Sequence, residues 1–230
     1  MLFGAGVILA TQRRDQAGQR TWTYHYARTF WLLIFGMIHA YFIWYGDILV
    51  TYALCGFVFY WFHNLSAPAL FLIGCISLLV ALLIMMSAGV APVDVQQGIL
   101  EDFVPNRAEI DREIAAYRGT WADVQNARLI EALDLQLTGI PFFLFWRAGG
   151  LMLISMALFK LGVFSTPSSF KFYIRLLGVS GLIGFPLVAH SAVQLIGHNC
   201  DPSFRLLQHG GVYNYVAALA LHCFMWAALC

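Results

Sequence analysis

The sequence predicts an all-α fold, a polytopic helical membrane protein of about six spans preceded by an N-terminal half-helix. Three observations predict it. Of the 230 residues, 60% are hydrophobic and 11% charged, with a mean hydropathy of +0.73; soluble domains carry roughly 25% charged residues. Apolar runs recur at about the 20-residue length that a helix needs to cross a bilayer. The runs are also continuous, whereas a spanning barrel alternates apolar and polar residues. A net charge of +1 gives no electrostatic case for nucleic acid as a partner. The five cysteines (Cys55, Cys75, Cys200, Cys223, Cys230) fall at no metal-ligand spacing, and their odd number gives no disulfide framework.

The elements follow in order. Residues 1–10, MLFGAGVILA, are apolar but too short to span, and Arg13, Arg14 and Arg20 follow the run instead of preceding it as in a signal peptide. The segment reads as the last half of a helix, and residues 11–28 as a basic loop. Spans are expected at 29–46 and 47–63, joined tightly at Gly46-Asp47, where Gly46 suits a tight turn and Asp47 can cap the second helix. A third span at 68–90 opens with Pro68 in its first turn. Residues 91–138 are polar and acidic, with two amphipathic helices. One starts at Asn106 with Glu109 and carries Ile110, Ile114 and Tyr117 to a stop at Gly119; the other starts at Thr120 with Asp123 and leads through Leu129, Ile130, Leu133 and Leu137. They read as helices on the outer surface, or as a lid over an outward-facing site. Further spans are expected at 139–162, 172–196 and 211–230. Gly178, Gly181 and Gly184 would permit close helix packing, and Pro186 would kink its helix. The whole chain, 1–230, reads as one transmembrane domain.

Charge sets the expected orientation. Arg13, Arg14, Arg20, Arg28, Lys160, Lys171 and Arg175 share one side of this topology, and every acidic residue except Asp15 lies on the other. The positive-inside rule then puts loop 11–28 in the cytoplasm and loop 91–138 outside.

Ionisable residues at membrane depth are costly, and each is a functional candidate. Four stand out: His39, Asp47, Arg147 and His190. At the helical rise, His39, Arg147 and His190 fall ~9–12 Å below the outer boundary, beneath Asp47 at its turn. A neutral histidine there can act as general base on a hydroxyl or amine. A carboxylate can orient it and Arg147 can stabilise an oxyanion. The plain alternatives are a histidine hydrogen-bonded to a neighbouring helix, an Arg147–Asp47 structural pair, and Asp47 as a helix cap. His63 and His222 read as structural. No HExxH or similar spacing points to a metal. No serine or cysteine is paired with a histidine, which favours direct transfer. The donor would be an acyl-CoA whose phosphates Arg13, Arg14, Arg20 and Arg28 could hold, unless those arginines only set topology.

LFGAG at 2–6, a basic segment and IHAYFIWYGDILVTYAL at 38–54 resemble the YeiB-type family of bacterial membrane proteins, domain of unknown function 418. That family is grouped with membrane acyltransferases related to heparan-alpha-glucosaminide N-acetyltransferase. The resemblance implies a multi-helix protein of the bacterial plasma membrane that passes an acyl group from cytoplasmic acyl-CoA to a carbohydrate or lipid-linked acceptor outside. Members of the family usually carry a helix before this region and further helices after it, so the chain is expected to correspond to the family's middle. A small-solute transporter with His39, Arg147 and His190 along its path, or a structural membrane subunit, are the competing expectations.

Overall fold

Ten α-helices account for most of the computed structural model, which describes residues 2–163, 170–207, 212, 215 and 216; no strand occurs among the described residues. The helices are α1 (Leu2–Gln16), α2 (Thr21–Ile38), α3 (Leu49–Phe59), α4 (Ala67–Val90), α5 (Val93–Phe103), α6 (Arg107–Tyr117), α7 (Trp121–Asp134), α8 (Phe145–Lys160), α9 (Phe170–Gly197) and α10 (Pro202–Leu207). Two wider, π-helical segments extend this set: His39–Ile43 continues α2, and Leu135–Leu144 joins α7 to α8. Among the described residues, four continuous helices are long and apolar enough to cross a membrane: Thr21–Ile43, Ala67–Val90, Trp121–Lys160 and Leu177–Gly197. Leu49–Phe62 is a shorter apolar helix. The protein is an all-α, multi-pass membrane protein whose apolar helices suit a lipid bilayer. The span expected at 211–230, with His222, lies almost wholly outside the described residues.

The chain packs as two units. One comprises Met1–Ala81 and Arg107–Ser165, the other Leu82–Asn106 and Thr166–Cys230. In the first, Val7 and Ile8 of α1, Cys55 and Phe59 of α3, Leu70 of α4 and Met152, Leu153 and Met156 of α8 form the core. Lipid tails are as apolar as leucine, so close van der Waals packing must hold such a core together within a bilayer. Small residues make that packing possible. A Cβ on Gly74 of α4 would lie 2.9 Å from the Gly150 carbonyl oxygen, and one on Gly150 of α8 2.8 Å from that of Gly74. The two backbones meet at this reciprocal contact. In the second unit, α5 packs on α10, and Gly178 of α9 has open space where a Cβ would point. The close-packing expectation therefore does not apply to Gly178.

Other boundaries depart from the sequence reading for identifiable reasons. The basic loop expected at 11–28 shrinks to Ala17–Arg20, because α1 continues to Gln16 and α2 already begins at Thr21. Its turn uses Gly18 at φ 66°, a left-handed conformation that glycine adopts without steric cost. The polar segment 91–138 holds three helices, α5 being the addition. The third of them, α7, is not separate from the following span, and helix runs unbroken over Trp121–Lys160. Pro141 lies in the joining segment, where its missing N–H removes a hydrogen bond from the helix ladder. The expected helix start is observed at Thr120, which forms a capping box with Asp123.

Candidate functional site

The first π-helical segment brings His39 and Asp47 together. The Trp44 N–H donates to the His39 carbonyl oxygen at 2.8 Å, a bond spanning five residues that closes the wide turn. The chain then reverses through Tyr45 and Gly46 into α3. Gly46 does not adopt the left-handed conformation a tight turn can demand. The Trp44 ring folds over it, and a Cβ would meet that ring at 2.6 Å unless the exposed Trp44 side chain moved. Asp47 is 3% exposed. Its Oδ2 accepts from the Val50 N–H at 2.8 Å, so it caps α3 as the sequence indicated. Its Oδ1 lies 2.8 Å from His39 Nδ1. That approach is close in distance but poorly aligned, since neither atom meets the angular requirement of a hydrogen bond. Both atoms are buried while the His39 side chain is 32% exposed, so the exposure belongs to the rest of the ring. The Trp44 ring stands edge-on to His39 at 6.5 Å.

The end of the same segment is held from α7. Beyond the last turn the carbonyls of Tyr41 and Phe42 have no helical donor, as at any helix C-terminus. Gln125 Nε2 donates to the Tyr41 carbonyl at 2.5 Å, and Arg128 Nη1 to the Phe42 carbonyl at 2.7 Å. The Tyr41 hydroxyl donates to Gln136 Oε1 at 2.9 Å, tying the two π-helical segments to each other. Sequence reasoning singled out none of these residues, because Gln125, Arg128 and Gln136 are ordinary polar residues of an amphipathic stretch until the fold aims them at His39–Ile43. Charge-assisted hydrogen bonds contribute roughly 1.5–3 kcal/mol. Substituting Arg128→Ala together with Gln125→Ala is expected to speed amide hydrogen exchange at residues 43–46 at least tenfold, while α8 amides stay protected.

The remaining candidates are placed differently. Arg147 stands half-buried on α8 with its guanidinium 5.9 Å from the Phe143 ring centre. His190 is exposed on α9, in the second unit. Arg13 and Arg14 occupy the last turn of α1, where cations complement the helix dipole. Arg14 covers the Tyr24 ring at 4.2 Å and Arg28 the Phe3 ring at 5.9 Å, while Arg13 and Arg20 are exposed.

One buried histidine escaped sequence reasoning. His25 fell inside the expected basic loop, but with α2 beginning at Thr21 it enters the bundle at 8% exposure. Its Nε2 lies 3.0 Å from the Gly56 carbonyl oxygen and 3.3 Å from Thr29 Oγ1. The Tyr60 ring stacks on His25 at 4.3 Å and on His63 at 4.5 Å. His63 Nδ1 lies 2.6 Å from the Tyr60 carbonyl oxygen. His25 makes the contacts typical of a side chain between packed helices, whereas His63 contacts Tyr60 three residues before it in its own segment.

Comparison with known proteins adds one partial similarity. Over 77 residues the chain is 43% identical to "Uncharacterized protein YxaH" of Bacillus subtilis (strain 168). That stretch is 34% of this chain and 19% of the relative, so the match spans about a fifth of the relative's length. No family model matches the chain, and no solved structure matches it.

Proposed function

We propose that the chain is the core of a YeiB-type membrane acyltransferase, in which His39 is the general base and Asp47 its orienting carboxylate. The observation that carries this reading is the 2.8 Å approach of His39 Nδ1 to a buried carboxylate, with the rest of the ring exposed. An Asp47 carboxylate facing Nδ1 favours the tautomer protonated there and leaves Nε2 free to accept a proton. Such contacts are often misaligned before substrate binds and tighten in the reacting complex.

In this reading Nε2 takes the proton from an acceptor hydroxyl or amine as that atom attacks the thioester carbonyl. The C–S bond breaks, and the proton passes to the departing thiolate. Arg147 is proposed to stabilise the oxyanion. Arg13, Arg14, Arg20 and Arg28 would hold the phosphates of acyl-CoA on the cytoplasmic side of the bacterial plasma membrane. Arg28 and His39 are eleven residues apart on one helical path, so the donor must reach across about 16 Å. The acceptor, a carbohydrate or lipid-linked group, would approach from the side carrying residues 91–138.

Acyl-CoA binding is the first test. At a hundred times its dissociation constant a ligand stabilises by roughly 2.7 kcal/mol. Acetyl-CoA or a longer acyl-CoA is expected to raise the melting temperature of the purified protein. The gain should vanish in Arg13→Ala/Arg20→Ala, two exposed positions whose loss leaves the fold intact. No stabilisation by any acyl-CoA would remove the enzyme reading for this chain.

A further inference from the structure

We propose that a second site, an open cleft where α1 stops, α2 begins and α3 ends, binds a quaternary-ammonium head group. This inference is independent of the acyl-transfer reading. The cleft encloses about 730 Å³, within the range of small-molecule pockets. Trp22, Tyr26, Tyr60 and Trp61 line it, and Asp15 is its carboxylate. Thr21, His63 and Asn64 complete the lining.

Each component has a physical role. Trp22 and Trp61 are 54% and 77% exposed, so their rings are available to a ligand. An interfacial aromatic belt accounts for tryptophans at this level, but it requires neither a cavity nor a carboxylate. Tyr26 is fixed by stacking on Phe57 at 5.8 Å. Tyr60, clamped between the rings of His25 and His63, offers the cleft only its edge, so the faces open to a cation are those of Trp22, Trp61 and Tyr26. The aromatic wall is thus partly rigid before any ligand arrives. Asp15 belongs to the lining, and the Thr21 hydroxyl donates to its Oδ1 at 3.3 Å.

Charge and hydrogen-bonding capacity narrow the ligand class. Aromatic faces attract a cation lying within about 6 Å of the ring centre, and Asp15 adds a full negative charge. The neighbouring arginines do not line the cleft: Arg14 covers Tyr24 and Arg28 covers Phe3. Arg13 and Arg20 are exposed to solvent, where the high dielectric of water weakens their repulsion of a cation. A primary ammonium brings three N–H donors, for which Asp15, Thr21, His63 and Asn64 offer acceptors but the aromatic rings do not. A trimethylammonium group has no N–H to satisfy and offers methyl surface to the rings. Such a group can come from a soluble compound such as choline or from a phosphatidylcholine head.

Isothermal titration of the full chain in detergent tests the assignment. The probes are choline and dimethylbutanol, its neutral isostere with carbon in place of the charged nitrogen. Choline is expected to bind at least about tenfold more tightly than the isostere. Trp61→Ala should weaken choline about tenfold and Trp61→Phe should restore most of the affinity, while Asp15→Asn weakens it too. Trp31→Ala removes an exposed tryptophan of α2 that does not line the cleft, and should change nothing. Short-chain phosphatidylcholine binding above choline, with phosphatidylglycerol inert, would assign the site to a membrane lipid; choline binding at least as tightly would assign it to a soluble cation. Equal binding of choline and its isostere, or indifference to Trp61→Ala in a protein with an unchanged melting curve, would overturn the proposal.

Discussion

Replacing His39 by alanine is expected to lower acyl transfer by about 10²–10⁴-fold, the usual contribution of a positioned general base. Stabilisation by acyl-CoA should survive, because His39 acts on the acceptor and not on the phosphates. The measurement is transfer of a labelled acyl group from acyl-CoA to membrane acceptors, with melting curves beside it. Asp47 needs two variants, since its two oxygens do different things. Asp47→Ala removes the acceptor for the Val50 N–H as well as the partner of His39. It should cost about 0.5–2 kcal/mol of stability as a lost helix cap and lose transfer too. Asp47→Asn can keep the cap through its carbonyl oxygen while turning an amide N–H₂ toward Nδ1. The stability should then be spared and transfer still fall, because the imidazole is driven to the wrong tautomer. If Asp47→Asn transfers normally, Asp47 is only a cap. If His39→Ala also transfers normally, the catalytic reading of this layer fails altogether.

Gly150→Leu is expected to produce the largest loss of stability of any single change discussed. A Cβ at this position would stand 2.8 Å from the Gly74 carbonyl oxygen, and Leu78 lies within 3.0 Å on the same side. A flexible side chain can yield, but the backbone of α4 can do so only if the whole helix shifts. Overpacking typically costs about 1–3 kcal/mol, and an obstructing backbone places this site at or above the upper end. The melting temperature in detergent should fall markedly, and Gly74→Leu should reproduce the effect from the opposite helix. Gly98→Ala is the control. Nothing lies within 4 Å of its Cβ position on α5, and alanine is favoured over glycine within a helix by about 0.5–1 kcal/mol. That variant should be unchanged or slightly more stable. Equal melting curves for Gly150→Leu and Gly98→Ala would show that α4 and α8 do not depend on close approach.

Of the candidate site, His39 and Asp47 are legible in the sequence. His39 and Asp47 were singled out because an ionisable side chain in an apolar run is costly, and Asp47 was expected to cap the helix after the turn. Two alternatives were open for Asp47, a partnership with the histidine or with Arg147. Sequence spacing could not choose, because the choice depends on how the chain reverses between Ile43 and Leu49. The π-helical widening at His39–Ile43 decides it. That widening left no mark in the sequence, and its supports, Gln125 and Arg128, are more than eighty residues away. His25 was missed for a simpler reason: arginines on either side made its surroundings read as loop, whereas α2 starts four residues earlier, at Thr21.

By itself the sequence determined the all-α membrane class and the approximate place of the apolar helices. Both follow from local quantities, since any segment in lipid must satisfy its backbone hydrogen bonds within itself and present apolar side chains over about 20 residues. It also determined the Thr120 capping box and the Asp47 cap, which are contacts over three residues. The tertiary structure decided which side chains meet. It set Gly74 against Gly150, aimed α7 at the open carbonyls of His39–Ile43, and assembled an aromatic cleft from three helix ends. These depend on distances between segments far apart in the chain, which neither hydropathy nor helical periodicity encodes.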